Sequence, residues 1–379
     1  MADPFVVGVG NTAFGRLEGL DAIELMANAA GMALADAKLE RDAVDGLICG
    51  YATTLPHLML SDLFAERIGM RPSYAHGVQA GGGTGAAKLM LAGELIRSGR
   101  CRSVLVVGGE NRLSGQTRDQ SIQALAQVGD HVTEAPNGAS IPAYYALLAS
   151  RYLYETGLSE ADLAELAVLM RRHAAAHPDA QLREPITVED VLASKPIATP
   201  LKLLDCCPIS DGACAFVVSA EPGTTGIRIA GAGQAHQHQH ITAMADVMAT
   251  GANAAARLAF SQAGVSHADI DHLAIYDSFT VTLAILLEEI GFAERGQSGA
   301  MARDGVFSQN GKLPLNMHGG LLSFGHSGVA GGMAHVVEAV RQLRQQGGAR
   351  QAGRPQRAFV HADGGVLSAH VSLVLERVA

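Results

Sequence analysis

Residues 316–332 read Asn-Met-His-Gly-Gly-Leu-Leu-Ser-Phe-Gly-His-Ser-Gly-Val-Ala-Gly-Gly. Glycine recurs through the stretch and brackets His318 and His326. It tolerates positive φ and lets backbone N–H groups come close to a ligand. Two more clusters share this character: 77–85, GVQAGGGTG, and 361–365, HADGG. Any one of them alone also suits a tight turn in a glycine-rich protein. The 77–85 cluster lacks the Gly-Lys-Ser/Thr ending of a P-loop, and it does not open the chain as a dinucleotide-binding GxGxxG would. Neither nucleotide-binding loop is expected.

The rest of the composition narrows the class. Glycine supplies 44 of 379 residues and tryptophan none; hydrophobic residues make up 48% and charged residues 17%. Such a chain is too apolar and too weakly charged to be disordered, and it is long enough to bury a large core. Lys plus Arg is 28 and Asp plus Glu is 37, a formal charge of −9 with no basic run. No nucleic-acid partner is expected. An anionic ligand can still be met by backbone N–H groups. The opening MADPFVVGVG lacks the pattern of a signal peptide, and no long uninterrupted apolar window predicts a membrane span. The five cysteines are Cys49, Cys101, Cys206, Cys207 and Cys214. Their odd count, the adjacent pair and the lack of CxxC argue against a disulfide framework and a structural zinc site. A soluble, reduced, cytoplasmic α/β enzyme is expected.

Short β-branched runs alternate with longer Ala/Leu-rich segments. Strands are expected at 6–9, 46–50 and 103–107, the last ended by Gly108-Gly109, with helices at 21–37, 59–68 and 85–98. The second part repeats the scheme. Strands are expected at 227–230, 272–276, 357–361 and 370–375, and helices at 244–263, 281–290 and 336–346. This alternation predicts a parallel-type sheet covered on both faces and a duplicated α/β unit. Segment 113–204 lacks buried strand runs and reads as a helical insertion that shapes a pocket.

Four segments then carry a resemblance. NMHGGLLSFGHSGVAGG fits the pattern N-x-x-GG-x-x-x-x-GH-x-x-G. Tyr276-Asp277-Ser278-Phe279 stands where thiolases have NEAF and the sterol-carrier branch has HDCF. Asp211-Gly212-Ala213 matches the DGA before an apolar strand, and 185–205 is similar to the end of the thiolase loop domain. Over its whole length the chain resembles the thiolase superfamily, in its sterol-carrier-protein-type, or lipid-transfer, branch. The resemblance implies an α/β thiolase fold of two β-α-β-α-β-α-β-β halves in five layers, α-β-α-β-α. The halves would be 1–225, with the loop-domain insertion at 113–204, and 226–379. It also implies a homodimer and an acyl-CoA substrate, with coenzyme A as part of the substrate and no permanently bound cofactor.

One departure changes the chemistry. The family's nucleophilic Cys opens a CxSG motif at a helix N-terminus, which lowers its pKa. Here the match is Gly82-Gly83-Thr84-Gly85, and no cysteine lies nearby in sequence. Cys206 and Cys207 read as packing. Acyl transfer through a thioenzyme is not expected. By the resemblance, His326 matches the histidine that helps hold a thioester oxyanion, and His361 stands near the second family Cys, the acid/base. His361 also suits a strand-end histidine facing solvent. Tyr276 replaces the family's Asn or His, or is an ordinary buried tyrosine. Asp277 orients a neighbour or caps the next helix. Gly82, Gly83, Thr84, Gly325, Gly364 and Gly365 would line the thioester pocket, with His57 before a helix as a further lining residue.

An oxyanion site with an acid/base and no nucleophile suits retro-aldol cleavage of a β-hydroxyacyl-CoA. A base takes the β-hydroxyl proton, the Cα–Cβ bond breaks, and preorganised donors hold the enolate. His361, whose residue type titrates nearer pH 7, is the first choice of base, with Tyr276 as alternative or partner. Thiolase-like aldolases of steroid side-chain degradation pair with an OB-fold/zinc-ribbon (DUF35-type) protein, and the resemblance implies such a partner. An acyltransferase with an unusual nucleophile and a non-catalytic acyl-CoA or lipid carrier are the other readings. His236, His238 and His240 alternate, which would put three on one strand face, but without a nearby carboxylate or Cys no metal is assigned. His173 and His177 are separated by alanines and do not form HExxH.

Overall fold

The computed structural model describes residues 2–138 and 140–378. Its first half opens with a fully buried strand, β1 (Phe5–Asn11). Helix α1 (Ala22–Ala37) starts on a capping box in which Asp21 and Glu24 satisfy each other's backbone N–H. Then come β2 (Gly46–Cys49), α2 (Leu60–Ile68), β3 (Tyr74–Gly77), α3 (Thr84–Arg97) and β4 (Ser103–Asn111). The expected stop of β4 at Gly108-Gly109 is corrected. Both glycines stay in the ladder, opposite Cys214 and Ala213. A Cβ on Gly109 would overlap Ala213, so the glycines thin the strand instead of ending it.

The insertion holds α4 (Arg118–Ala126), α5 (Ile141–Thr156), α6 (Glu160–Ala175), α7 (Val188–Ala193) and a small hairpin, β5 (Pro196–Ala198) with β6 (Leu201–Lys202). Strand β7 (Asp211–Ser219) completes the first half.

The second half begins with β8 (Ile227–His236), six residues longer than the expected end at Ala230. Helix α8 (Ala252–Ala263) starts later than expected, because Glu289 accepts from Thr250 N and Gly251 N at 2.9 Å and so marks its N-terminus. Gly231 and Gly233 explain the length of β8: α8 backbone oxygens lie where their Cβ atoms would be. Because β8 ends at His236, only one of the three alternating histidines is on a strand; His238 Nε2 donates to Val366 O at 3.1 Å, and His240 precedes a 3₁₀ turn. Next are β9 (His272–Ile275), α9 (Thr280–Ile290), α10 (Ser298–Arg303), α11 (Gly320–Ser323), α12 (Val329–Leu343), β10 (Arg357–Gly364) and β11 (Ala369–Arg377). Helix α12 starts seven residues before the expected Val336, with Gly331 and Gly332 in its first turn.

Strand order across the sheet is β3-β2-β4-β7-β1-β8-β11-β10-β9. Read from either edge inward, the two halves have one topology: parallel pairing outside and antiparallel pairing inside. The second half's outermost strand has shrunk to a single parallel bridge, Leu273–Leu315. The two half-sheets pair through Phe5–Arg228 and Val6–Ile227. Helices α3 and α12 lie between the half-sheets and touch strands of both. Helices α1 and α2 cover the outside of the first half-sheet, and α8 covers the second, with α9 beside it. This is the five-layer duplicated arrangement that the resemblance implies.

Buried histidines sit where α6, β9 and α12 meet. His173, His177, His272, His318 and His335 are all buried near the Arg350–Glu338 ion pair, whose Nη2–Oε2 distance is 2.9 Å. The His318 and His335 rings are 4.8 Å apart. Burial pushes His173, His177 and His272 down to about 4. In the unfolded chain they titrate near 6.5, at about the ordinary value. As pH falls through the window from about 6.5 to about 4, the unfolded state takes up protons that the folded state refuses. These groups therefore favour the fold above that window and lose the contribution within it. Buried Asp277 and Asp363, with raised pKa values, act in the opposite sense. The isolating measurement is urea unfolding of wild type and His272→Phe at pH 7 and pH 5. Wild type should lose more stability between the two, and an equal loss would contradict the assignment.

Candidate active site

The N-termini of α3 and α12 meet in the middle layer, and the ends of β9 and β10 arrive beside them. Tyr276 follows β9 directly, and its N donates to His361 O at 2.9 Å. His326 lies three residues before α12. Its N donates to Pro208 O and Ser210 Oγ, both at 3.0 Å, and its O accepts from Ser210 N at 3.2 Å. Gly325 has φ +127, and Ser210 Oγ occupies the position of its missing Cβ, so a side chain there is excluded twice over. These constraints bring Tyr276 Oη to 2.9 Å from His326 Nε2.

The first glycine cluster forms a turn ahead of α3. Thr84 Oγ1 donates to Gly81 O at 2.6 Å and accepts from Ala80 N at 2.9 Å, so its hydroxyl holds the turn. Gly83 is the N-cap residue of α3. The third cluster packs on this turn backbone to backbone. A Cβ on Gly81 would lie 2.8 Å from Gly365 N, and one on Gly364 would overlap Ala80 O. A Cβ on Gly82 would overlap the Tyr276 hydroxyl and Asp363 O. The phenol of Tyr276 therefore fills the space that a side chain at position 82 would need.

Electrostatics keep this pair neutral. Burial, and then the Asp363 carboxylate, raise Tyr276 well above its ordinary value, so the phenol stays protonated. Burial, and then the charge of Arg112, push His326 down to about 3. His326 Nδ1 has no partner among the described residues. A neutral phenol and a neutral imidazole thus share one hydrogen bond, with one ring nitrogen left over.

All five cysteine thiols are raised by burial, Cys49, Cys206 and Cys214 to about 12. An activated thiol needs the opposite shift. Among the described residues no group of three or more His, Cys, Asp or Glu is arranged to hold a metal ion.

The other sequence candidates fall in different places. Asp277 is buried and accepts from Leu321 N at 2.7 Å and Leu322 N at 3.4 Å, capping α11 rather than the helix that follows it in sequence. His335 Nε2 stands 3.3 Å from its Oδ1. The His361 ring bonds Ser372 Oγ at 2.8 Å and His370 Nδ1 at 3.2 Å. By strand alternation it shares a face with Phe359, which stacks on Phe260 of α8 at 5.0 Å. Its carbonyl, not its imidazole, meets Tyr276, and it is buried instead of facing solvent. His57 is exposed, and its Nδ1 accepts from Met59 N at 3.1 Å, apart from the pair.

Two residues escaped the sequence reading. Asp363 lies two positions beyond His361, at the Gly82 contact. Its Oδ2 accepts from Tyr145 Oη at 3.1 Å, while Oδ1 has no partner among the described residues. Tyr145 comes from α5 of the insertion, donates also to Gly365 O at 3.2 Å, and stacks on Phe279 at 4.4 Å. Asp363 stood inside a cluster already singled out. Tyr145 is one of four tyrosines on α5 and carried no distinguishing signal.

Comparison with known proteins agrees with this geometry. The profile of the thiolase N-terminal domain matches residues 5–222, and that of a thiolase C-terminal domain-like unit matches 233–377. The chain is 31% identical over 374 residues to an acetyl-CoA acetyltransferase of Methanothermobacter thermautotrophicus, covering 96% of this chain and 97% of the relative. It is 32% identical over 361 residues to a 17-hydroxy-3-oxo-4-pregnene-20-carboxyl-CoA lyase of Mycobacterium tuberculosis, covering 89% and 91%. A solved Ltp2-ChsH2(DUF35) aldolase superposes with a TM-score of 0.84 at 30% identity, covering 99% of this chain and 98% of that one. With both domain profiles matched in order over one continuous thiolase fold, the chain belongs to the thiolase family.

Proposed function

We propose that this protein is a carbon–carbon lyase that cleaves a β-hydroxyacyl-CoA by a retro-aldol step, giving a ketone or aldehyde and a shortened acyl-CoA. The observation that carries the reading is the Tyr276 phenol filling the space beside Gly82, in contact with His326. A thioenzyme intermediate would need a thiol in that volume. The lyase and aldolase relatives support the reading at about the same identity as the acetyltransferase.

The substrate's β-hydroxyl meets Tyr276 Oη. As its proton passes to the phenol oxygen, the phenol proton passes to His326 Nε2. The Cα–Cβ electron pair moves into the thioester and forms the enolate. His326 holds a proton poorly when alone, because its site is dry. An enolate appearing beside it makes the imidazolium one half of an ion pair, which offsets that desolvation cost. The proton then returns through Tyr276 to Cα, and no net proton is gained or lost. Asp363 and Tyr145 position Tyr276, and the loops at Gly82, Gly364 and Gly365 bring backbone groups to the thioester. His361 supports β10 from behind the site and is not the base in this scheme.

Coenzyme A enters as part of the substrate, with no permanently bound cofactor. A tertiary or secondary alcohol on a steroid side chain is the favoured acyl group, by analogy with the pregnene-carboxyl-CoA lyase. The working assembly in this reading is a homodimer with an OB-fold/zinc-ribbon partner; a DUF35 component is present in the solved Ltp2-ChsH2 aldolase. No described helix is long and apolar enough to cross a membrane. Five unpaired cysteines suit the cytoplasm.

Incubation of the chain and its partner with β-hydroxyacyl-CoAs should release ketone or aldehyde without added free CoA. Release only when CoA is added would favour acyl transfer, and no turnover would favour a carrier. Tyr276→Phe should lower kcat roughly 10²–10⁴-fold, the range for a positioned proton-transfer group. His326→Ala should cost about 10²-fold or more. Gly82→Cys should lose cleavage without gaining thiolysis, since the new side chain overlaps Tyr276. A cysteine variant that turned over with CoA at a thiolase-like rate would refute the steric argument.

A further inference from the structure

We infer that Arg112 is the anion-holding group of this pocket, its guanidinium meeting the thioester oxygen that becomes negative in the enolate. The inference rests on the lyase reading and adds a residue to it.

Arg112 is the first residue after β4, in the turn that leaves the strand. The backbone on either side is fixed. Asn111 pairs with Asp211, and Asp211 Oδ1 accepts from Leu113 N at 2.7 Å and Ser114 N at 3.0 Å. Two residues before Asp211, Ile209 forms a parallel bridge with His326. The turn and the catalytic pair are thus built on one short stretch of chain.

Arg112 is only 6% exposed, and its Nε has neither solvent nor a hydrogen-bond partner among the described residues. Among the described residues no ion pair includes it. Glu110, the nearest acidic residue in sequence, accepts from Thr53 N, Thr53 Oγ1 and Thr54 N through Oε2, while its Oε1 has no partner among the described residues. The charge of Arg112 reaches Glu110 and Tyr51 as well as His326, Tyr276 and Cys207, and the turn that carries it is tied to His326 through Asp211 and Ile209.

A guanidinium whose Nε is buried without a partner and that has no carboxylate at ion-pair distance is incompletely satisfied, so such a charge persists where a ligand completes it. Retro-aldol cleavage produces the matching charge. The Cα–Cβ pair becomes the Cα–C1 π bond, the C1=O pair moves onto oxygen, and that oxygen is the anion. When Cα is protonated the pair returns and the charge disappears. A cation already in place in a water-poor pocket stabilises this oxygen without reorganising. The phosphates of CoA lie at the far end of the pantetheine arm, so a cation beside Tyr276 meets the thioester end of the substrate.

The test is calorimetric binding of two CoA thioethers to the full chain with its partner. S-carboxymethyl-CoA carries a carboxylate one carbon beyond the thioester carbon, within reach of a group that meets the enolate oxygen, and S-acetonyl-CoA is its neutral counterpart. Wild type should bind the carboxylate about tenfold or more tightly than the ketone, the scale of one charge-assisted hydrogen bond. Arg112→Gln should lose that preference, the carboxylate affinity falling more than the ketone affinity, and Arg112→Lys should keep part of it. Where substrate turns over, kcat should fall about 10²-fold in Arg112→Gln. An undiminished preference in a folded Arg112→Gln overturns the assignment. If that variant does not fold, a wild type indifferent to the carboxylate overturns it equally. Binding needs no turnover, so a protein that discriminates the anion yet cleaves nothing refutes the lyase and leaves Arg112 as an anion site.

Discussion

The contact between the Tyr276 phenol and the bare backbone of Gly82 is the constraint on which the site depends. It has two requirements. Position 82 must lack a side chain, and β9 must deliver Tyr276 to the N-terminus of a helix from the other half of the chain. The second is met because Gly332 of α12 lies against Gly82 O and Gly85 of α3 lies against Met333. Glycine on both helices lets their N-termini cross closely, and the strand ends then meet above them. Glycine is unfavourable inside a helix by roughly 1 kcal/mol against alanine. At these crossings close packing outweighs that cost.

Burial around this contact selects the kind of chemistry available. An activated nucleophile needs a depressed pKa, and the Tyr276 phenol and Cys207 thiol are pushed up and the His326 imidazole down, each toward its neutral form. Such a pocket supports proton movement between neutral groups. It also responds strongly to charge that appears during the reaction, because little water screens it. The same dryness would make a free thiolate expensive, so loss of the cysteine and a tight tyrosine in its place are consistent with one another.

How much of this was legible in the sequence depends on the range of each interaction. The spacing of glycine and histidine around His326 is local, and it located both the fold and one member of the pair. Gly82 was legible as a missing cysteine. That Tyr276 fills the vacated space was not, because it depends on two segments nearly two hundred residues apart meeting at one point. His361 and Asp363 share a face of β10 and differ only in how far along it they lie, so periodicity cannot say which reaches the pocket. The expected boundaries miss at Gly108-Gly109, Gly231-Ala232-Gly233 and Gly331-Gly332, and the structure has one feature common to all three. Gly108-Gly109 reads as a terminator and the expected bounds of β8 and α12 stop short of the other two, whereas each of these glycines lies inside an element where another backbone or side chain comes too close for a Cβ.

Duplication makes a change of chemistry feasible without a change of fold. Each half contributes a helix N-terminus and neighbouring strand ends to the same volume, so the backbone frame survives substitutions within it. The pair at 82 and 276 is nevertheless coupled. A cysteine facing this tyrosine overlaps it, and a glycine facing a smaller residue leaves a void beside reacting atoms, where lost packing and entering water both act against catalysis. Neither residue is well accommodated without the other. The identity of position 276 is therefore as informative about the reaction as the absence of cysteine at 82, and reading the two together separates a vacant thiolase site from one refitted for bond cleavage.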